Sequence, residues 1–350
     1  MIAKKNTTRL FLLFLITHLV LWTLIPSISN NNLPLDTIEA LAWGSNLDWG
    51  FTKHPPLSAF AVEFFYFIFG SNDWAYYFLS QIFLITAFIY VWKLSNEILD
   101  NKIYSLIAVL ALEGFFFYNF TTPEFNVNIS QLPFWALTVY YFWKSINLNK
   151  IFDWLLFGIF SALGFLSKYL FIYLLFAILI YFSIYCRKNK MLIKNYFISI
   201  IFSLLILTPH FFWLNENDYV SIFYGLKRSS LNEFNLIYHL INPLTLIIKQ
   251  IIIFIPFLLM VLVTLKKLKF NLNFKNKKNS FIILMTLTPI ILILITSILT
   301  GAKIRTMWMT PFYLFTGICF IQIVKKNIEI KKLKRFFILF SFFFFLSPMI

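Results

Sequence analysis

Apolar residues run through this chain in long unbroken stretches, joined by short polar segments. Eleven runs stand out, at roughly 9–27, 74–97, 103–119, 127–146, 152–167, 169–186, 195–213, 248–265, 280–299, 308–324 and 336–350. A helix rises about 1.5 Å per residue, so about 20 apolar residues cross the roughly 30 Å hydrocarbon core of a bilayer. The runs are continuous and do not alternate, which favours helices over the strands of a membrane barrel. The pattern therefore predicts an all-α, polytopic transmembrane helical bundle of about 11 spans. The pair 152–167 and 169–186 is short, and predicts two helices meeting at Ser167 and Lys168.

Composition supports this reading. The chain is 60% hydrophobic and 13% charged, with a mean hydropathy of +0.79. A soluble protein of 350 residues has too little interior for that much apolar surface. Charge then orients the spans. With Lys4, Lys5 and Arg9 in the cytoplasm and sides alternating thereafter, Arg187 to Lys194, Lys266 to Lys278 and Lys325 to Arg335 all fall inside. Of the 30 basic residues 23 lie inside, and of the 14 acids 10 lie outside. The inner side carries +19 and the outer side −3, together the net +16. This is the positive-inside bias, so the basic character reflects topology and not nucleic-acid binding. Cys186 and Cys319 fall within spans and do not suggest a disulfide framework. The first run lacks a small-x-small cleavage site and reads as a retained signal anchor. No repeat, linker or soluble C-terminal domain is apparent, and residues 1–350 read as a single transmembrane domain that stops inside its last apolar run.

The polar chemistry concentrates on the predicted outer side. The first outer loop, 28–73, holds Asp36, Glu39, Asp48, Lys53 and His54. Its portion Leu57 to Gly70 is apolar apart from Glu63, and predicts a helix lying along the interface. Pro55-Pro56 stops any helix before it, which sets Lys53 and His54 at a bend beside the next helix start, a suitable place for phosphate. Between the third and fourth spans lie Glu124, Asn126 and Asn128, suited either to sugar hydroxyls or to capping the helix that follows. Lys168 reads either as a snorkelling anchor or as a cation for a lipid phosphate. The outer loop 214–247 carries Glu216, Asp218, Tyr224, Lys227 and Arg228, and a shorter patch carries Lys303, Arg305 and Trp308. Trp308 alone reads as an interfacial belt residue. Glu113 lies inside the third span, where a carboxylate is costly enough to suggest a role. Acids and cations together suit group transfer from a phosphate-bearing lipid to a hydroxyl: a carboxylate takes the acceptor's proton and a cation steadies the leaving phosphate. A divalent cation fits near the first-loop acids and His54, although the spacing does not demand one.

The first outer loop contains Asp36-Thr-Ile-Glu39, Trp43-Gly44, Gly50-Phe51 and Lys53-His54-Pro55-Pro56-Leu57 in order. On these motifs the sequence resembles the integral-membrane type C glycosyltransferases (GT-C) of the dolichyl-phosphate-mannose protein mannosyltransferase and aminoarabinose transferase clan. Further likenesses are Glu124 to Asn128, Gly164 to Tyr169, Pro209 to Asp218 with Ser221 to Phe223, and Gly301 through Pro311. The first-loop acids are spaced Asp-x-x-Glu where protein mannosyltransferases have them adjacent. His54 separates Lys53 from the proline where aminoarabinose enzymes have Lys directly before it. Both departures bear on sugar and acceptor identity.

The resemblance implies a GT-C helical fold at the bacterial inner membrane, with the site on the extracytoplasmic face. It implies a polyprenyl-phosphate-linked sugar donor, a lipid, glycan or protein acceptor, and inversion at the anomeric carbon. It places Asp36, with Glu39 as the second candidate, in the catalytic role. Lys53, His54 and Lys168, with Arg228 and Arg305, fall around the donor phosphate. The rival expectation is a transporter or flippase of lipid-linked sugars, which paired broken helices in two related halves would favour; no such repeat is visible.

Overall fold

Asparagine starts several of the helices. The side chains of Asn101, Asn126, Asn189 and Asn276 each accept two backbone N–H bonds from the first turn of the helix that follows. Stops are equally local: Asp100, Asn149 and Gly301 take the left-handed conformation just past their helices. The computed structural model describes residues 4–229 and 235–349. Its fifteen α-helices among these residues are α1 (Lys4–Ser29), α2 (Leu35–Gly44), α3 (Leu57–Phe69), α4 (Asp73–Leu99), α5 (Lys102–Leu110), α6 (Val127–Ser130), α7 (Leu132–Leu148), α8 (Ile151–Ser167), α9 (Ile172–Tyr185), α10 (Lys190–Glu216), α11 (Val220–Arg228), α12 (Tyr238–Leu262), α13 (Lys277–Thr300), α14 (Thr316–Val324) and α15 (Leu333–Leu346). No strand occurs among the described residues, and a single antiparallel bridge joins Leu265 to Ile328.

All eleven apolar runs appear as helix, though Ile350 and part of the outer loop 214–247 lie outside the described residues. Five helices are long and apolar enough to cross a bilayer alone: the run from Asn6 to Ser29, and α4, α10, α12 and α13. The pair Thr306–Tyr313 and Thr316–Asn327, bent by 52°, makes a sixth if the two are one broken span. The chain is a multi-pass membrane protein. The remaining runs form shorter pieces, and the third one breaks. There α5 stops at Leu110 and 3-10 turns follow at Ala111–Gly114 and Phe116–Tyr118. Gly114 sits against the backbone of Phe257 on α12, so close that a Cβ would lie 2.5 Å from its Cα. The Glu113 carboxylate is fully buried, 3.3 Å from His18 Nε2 on α1. Asn119 Nδ2 donates to the Glu113 carbonyl at 2.8 Å. Glu113 therefore pins the broken span to α1 and does not line the cleft described below.

Polar contacts fall into two groups. In one, Lys278 pairs with Asp100 at 2.6 Å, Lys277 Nζ donates to Asn147, and Lys332 Nζ donates to the Leu265 carbonyl. A second group joins Lys53 to Glu39, the Asp36 N–H to Glu124, Lys168 to Asn128 and Tyr169 to Ser221. The core between is aromatic, with Phe115 stacked on both Tyr313 and Phe257. Cys186 and Cys319 are free and buried within it.

Candidate active site

The first outer loop is more ordered than its polar composition implies. Pro34 precedes α2 and Asp36 sits in its first turn, where a carboxylate favours the positive end of the helix. Helical spacing then sets Asp36, Glu39, Ala40 and Trp43 on one face. These four, with His54, Ser58, Asn126 and Val127, line a narrow cleft. Gly44 allows α2 to lie on α3: a Cβ there would be 2.9 Å from the Ala59 carbonyl. After α2 the chain turns back, and the Phe51 N–H donates to the His54 carbonyl at 3.0 Å. Gly50 makes that turn fit, since a Cβ would overlap the Trp213 indole of α10.

Two acids meet across the cleft. The Asp36 N–H donates to Glu124 Oε1 at 3.4 Å, and Asn126 Nδ2 donates to Glu124 Oε2 at 3.2 Å. Burial raises the Asp36 carboxyl above its ordinary range and the Glu39 charge raises it further, while Lys53, Lys168 and Arg228 draw it down. Glu124 is raised in the same way, by burial and then by Asp36, against its hydrogen bonds to the Asp36 N–H and Asn126. Glu39 differs from Asp36 in having a partner, for Lys53 Nζ bonds directly to its carboxylate. That bond raises the Lys53 ammonium, which also lies 5.9 Å from the centre of the Tyr224 ring.

His54 is not a cation here. Burial, then the charges of Lys168, Lys53 and Arg228, push its imidazole down to about 3. A neutral imidazole can offer hydrogen bonds to a substrate, but no charge. Its ring meets Trp43 and Tyr224 edge to face.

Between α8 and α9, Lys168 turns inward and is only 6% exposed, which rules out the snorkelling anchor. Its ammonium donates to Asn128 Oδ1 and lies 5.3 Å from the centre of the Trp308 ring. Trp308 thus faces the site. Burial lowers the lysine to about 7, partly opposed by Asp36. The Glu124–Asn128 segment divides its labour: Asn126 caps α6 and bonds Glu124, and Asn128 holds the lysine. Arg228, at the exposed end of α11, acts on Asp36 and His54 through its charge. Arg305 is half-buried three residues before Trp308, whose N–H donates to its carbonyl at 3.0 Å. Among the described residues, no three His, Cys, Asp or Glu side chains converge to hold a metal.

The sequence reading gave no individual role to Trp43, Tyr224 or His210. The i, i+3, i+7 spacing from Asp36 to Trp43 would have put Trp43 with the acids, once α2 was recognised as a helix.

Residues 53–213 match the family model described as dolichyl-phosphate-mannose-protein mannosyltransferase. The matched segment takes in Lys53, His54, Glu124 and Lys168, and begins after the two acids of α2. No curated protein matches the sequence. Solved structures similar to the chain include ArnT from Cupriavidus metallidurans bound to undecaprenyl phosphate, with a TM-score of 0.68 at 12% identity. ArnT in the apo state is similar at a TM-score of 0.67 and 12% identity. In both cases 95% of this chain and 62% of ArnT are covered, so the chain spans about three-fifths of ArnT's length. The fold is the GT-C fold, and the match over residues 53–213 supports the resemblance to the dolichyl-phosphate-mannose protein mannosyltransferases.

Proposed function

We propose that this protein is a membrane glycosyltransferase that moves a sugar from a polyprenyl-phosphate donor to a hydroxyl of a cell-envelope acceptor, at the outer face of the inner membrane. The observation that carries the reading is the pair of half-buried carboxylates, Asp36 and Glu39, in one cleft, with Lys53, Lys168 and Arg228 near enough to act on Asp36 through their charge. Support comes from the mannosyltransferase family match and from the fold shared with a structure that binds undecaprenyl phosphate.

In this reading the acceptor hydroxyl oxygen bonds to the anomeric carbon as that carbon's bond to the phosphate oxygen breaks. The electron pair leaves on the phosphate, and the hydroxyl proton passes to a carboxylate. Asp36 is the better proton acceptor of the two α2 acids. Its carboxyl is raised by burial, whereas the Glu39 charge is taken up by Lys53. Lys168 and Arg228, with Lys53 beside them, supply positive potential for the departing phosphate, which counts for more in a partly desolvated site than in water. Neutral His54, which lines the cleft, can offer a hydrogen bond to a sugar hydroxyl, while Asn126 holds Glu124 beside it.

The experiment is mass spectrometry of envelope glycolipids and glycans from cells with and without the protein, complemented by wild type or Asp36→Asn. A sugar that disappears without the protein, returns with wild type and fails to return with a stably inserted Asp36→Asn is expected. An unchanged glycan profile would move the assignment to transport or to another activity.

A further inference from the structure

Helix α11 is weakly anchored for a helix that presents site residues. Among its nine residues only Ser221 is buried. Yet Ser221, Tyr224 and Arg228 follow one another at i, i+3 and i+7, on one helical face. Tyr224 meets His54 and Lys53, and the Arg228 charge reaches Asp36. Something other than apolar packing must hold this face to the cleft.

That hold is a chain of polar contacts with a fixed sense. His210, fully buried in α10, has Nδ1 at 2.6 Å from the Trp49 carbonyl and Nε2 at 3.1 Å from the Tyr169 hydroxyl. The same hydroxyl lies 2.6 Å from Ser221 Oγ. A carbonyl can only accept, so the neutral ring carries its hydrogen on Nδ1. Nε2 then accepts from Tyr169, and the Tyr169 oxygen accepts from Ser221. The ring is clamped as well, stacked between Tyr169 and Trp213. The chain ties together three segments that bear cations. Trp49 opens the turn of Lys53, Tyr169 follows Lys168 directly, and Ser221 anchors the face of Arg228.

We propose that Tyr169, His210 and Ser221 are positioning residues that dock α11 and so deliver Arg228 and Tyr224 to the donor phosphate. The proposal rests on the polyprenyl-phosphate reading of the site. None of the three side chains lines the cleft, and each acts through another residue.

The test uses purified full-length protein in nanodiscs and undecaprenyl phosphate as the probe. Ser221→Ala removes one hydrogen bond of the dock and should weaken binding by about fivefold, with Ser221→Thr restoring it; Tyr169→Phe removes two and should weaken it at least as much. In an Arg228→Ala background, Tyr169→Phe should add little, because the dock then has no cation to deliver. Unchanged binding in Tyr169→Phe, or a full independent loss in the double variant, would overturn the proposal. Hydrogen–deuterium exchange gives a readout that needs no ligand. Tyr169→Phe should raise exchange across Val220–Arg228 and leave α8 and α13 as in wild type, and unaltered exchange in α11 would also overturn it. If wild type shows no affinity for undecaprenyl phosphate, the donor reading itself fails, while the exchange result still decides whether α11 is docked this way.

Discussion

At the residue scale, burial and partnership divide the work among side chains of like chemistry. Asp36 and Glu39 lie one turn apart, yet Lys53 holds Glu39 and leaves Asp36 raised by burial. Asp36→Asn should therefore lower transfer by orders of magnitude, measured by radiolabelled sugar transfer with the purified enzyme. Glu39→Gln should cost less and also lower affinity for the donor, through a displaced Lys53. The pH profile carries the same logic. Raised by burial, Asp36 becomes a carboxylate at a higher pH than an ordinary aspartate, so activity should climb as pH rises through that value. Lys168 is cationic only below about 7, so donor binding should fall as pH rises through that point. Lys168→Arg, whose guanidinium stays charged, should abolish the alkaline fall in affinity for undecaprenyl phosphate. Much of this was legible in the sequence as residue types: Asp36, Glu39, Lys53, Glu124 and Lys168 stand out in an apolar chain. Their states were not. The neutrality of His54 follows from burial beside three cations brought together by tertiary structure, and the Lys53–Glu39 bond depends on the turn at Phe51 and His54.

At the scale of elements, the long apolar runs announced their helices, and the short polar ones did not. Helix α3 was predictable from its apolar run, whereas α2 has only ten residues and its acids suggested loop. Its identity rests on Pro34, the first-turn Asp36 and packing through Gly44, which no hydropathy pattern records. The third run misled in the other direction: its long apolar stretch, with Glu113 inside it, hid the break at Leu110, beside which Gly114 packs closely on Phe257. Gly50 offers a test of how tightly the turn is held. Gly50→Ala should overpack it against Trp213 and cost about 1–3 kcal/mol, read as a lower melting temperature in detergent. Because that turn carries Lys53, the donor affinity of this variant should fall with its stability.

For the molecule as a whole, the charge asymmetry predicts which segments share a side of the membrane. The sidedness can be checked directly. Both native cysteines are buried, so single cysteines at exposed Ser45 and exposed Asn273 can be read above a silent background. A membrane-impermeant maleimide applied to intact spheroplasts should label Ser45→Cys and spare Asn273→Cys, with both labelled once the membrane is opened. Reversed labelling would invert the orientation and place the cleft in the cytoplasm.

The contributors to the cleft and its surroundings are spread from Asp36 on α2 to Trp308 beside Lys168. This has a consequence for synthesis. A nascent chain inserts its acids first, its buried lysine next and the aromatic cover of that lysine last, so an arrested or truncated chain holds the acids without their electrostatic frame. On the proposed reading, a chain arrested before Trp308 should therefore show no affinity for undecaprenyl phosphate, even where its acids are already in the membrane.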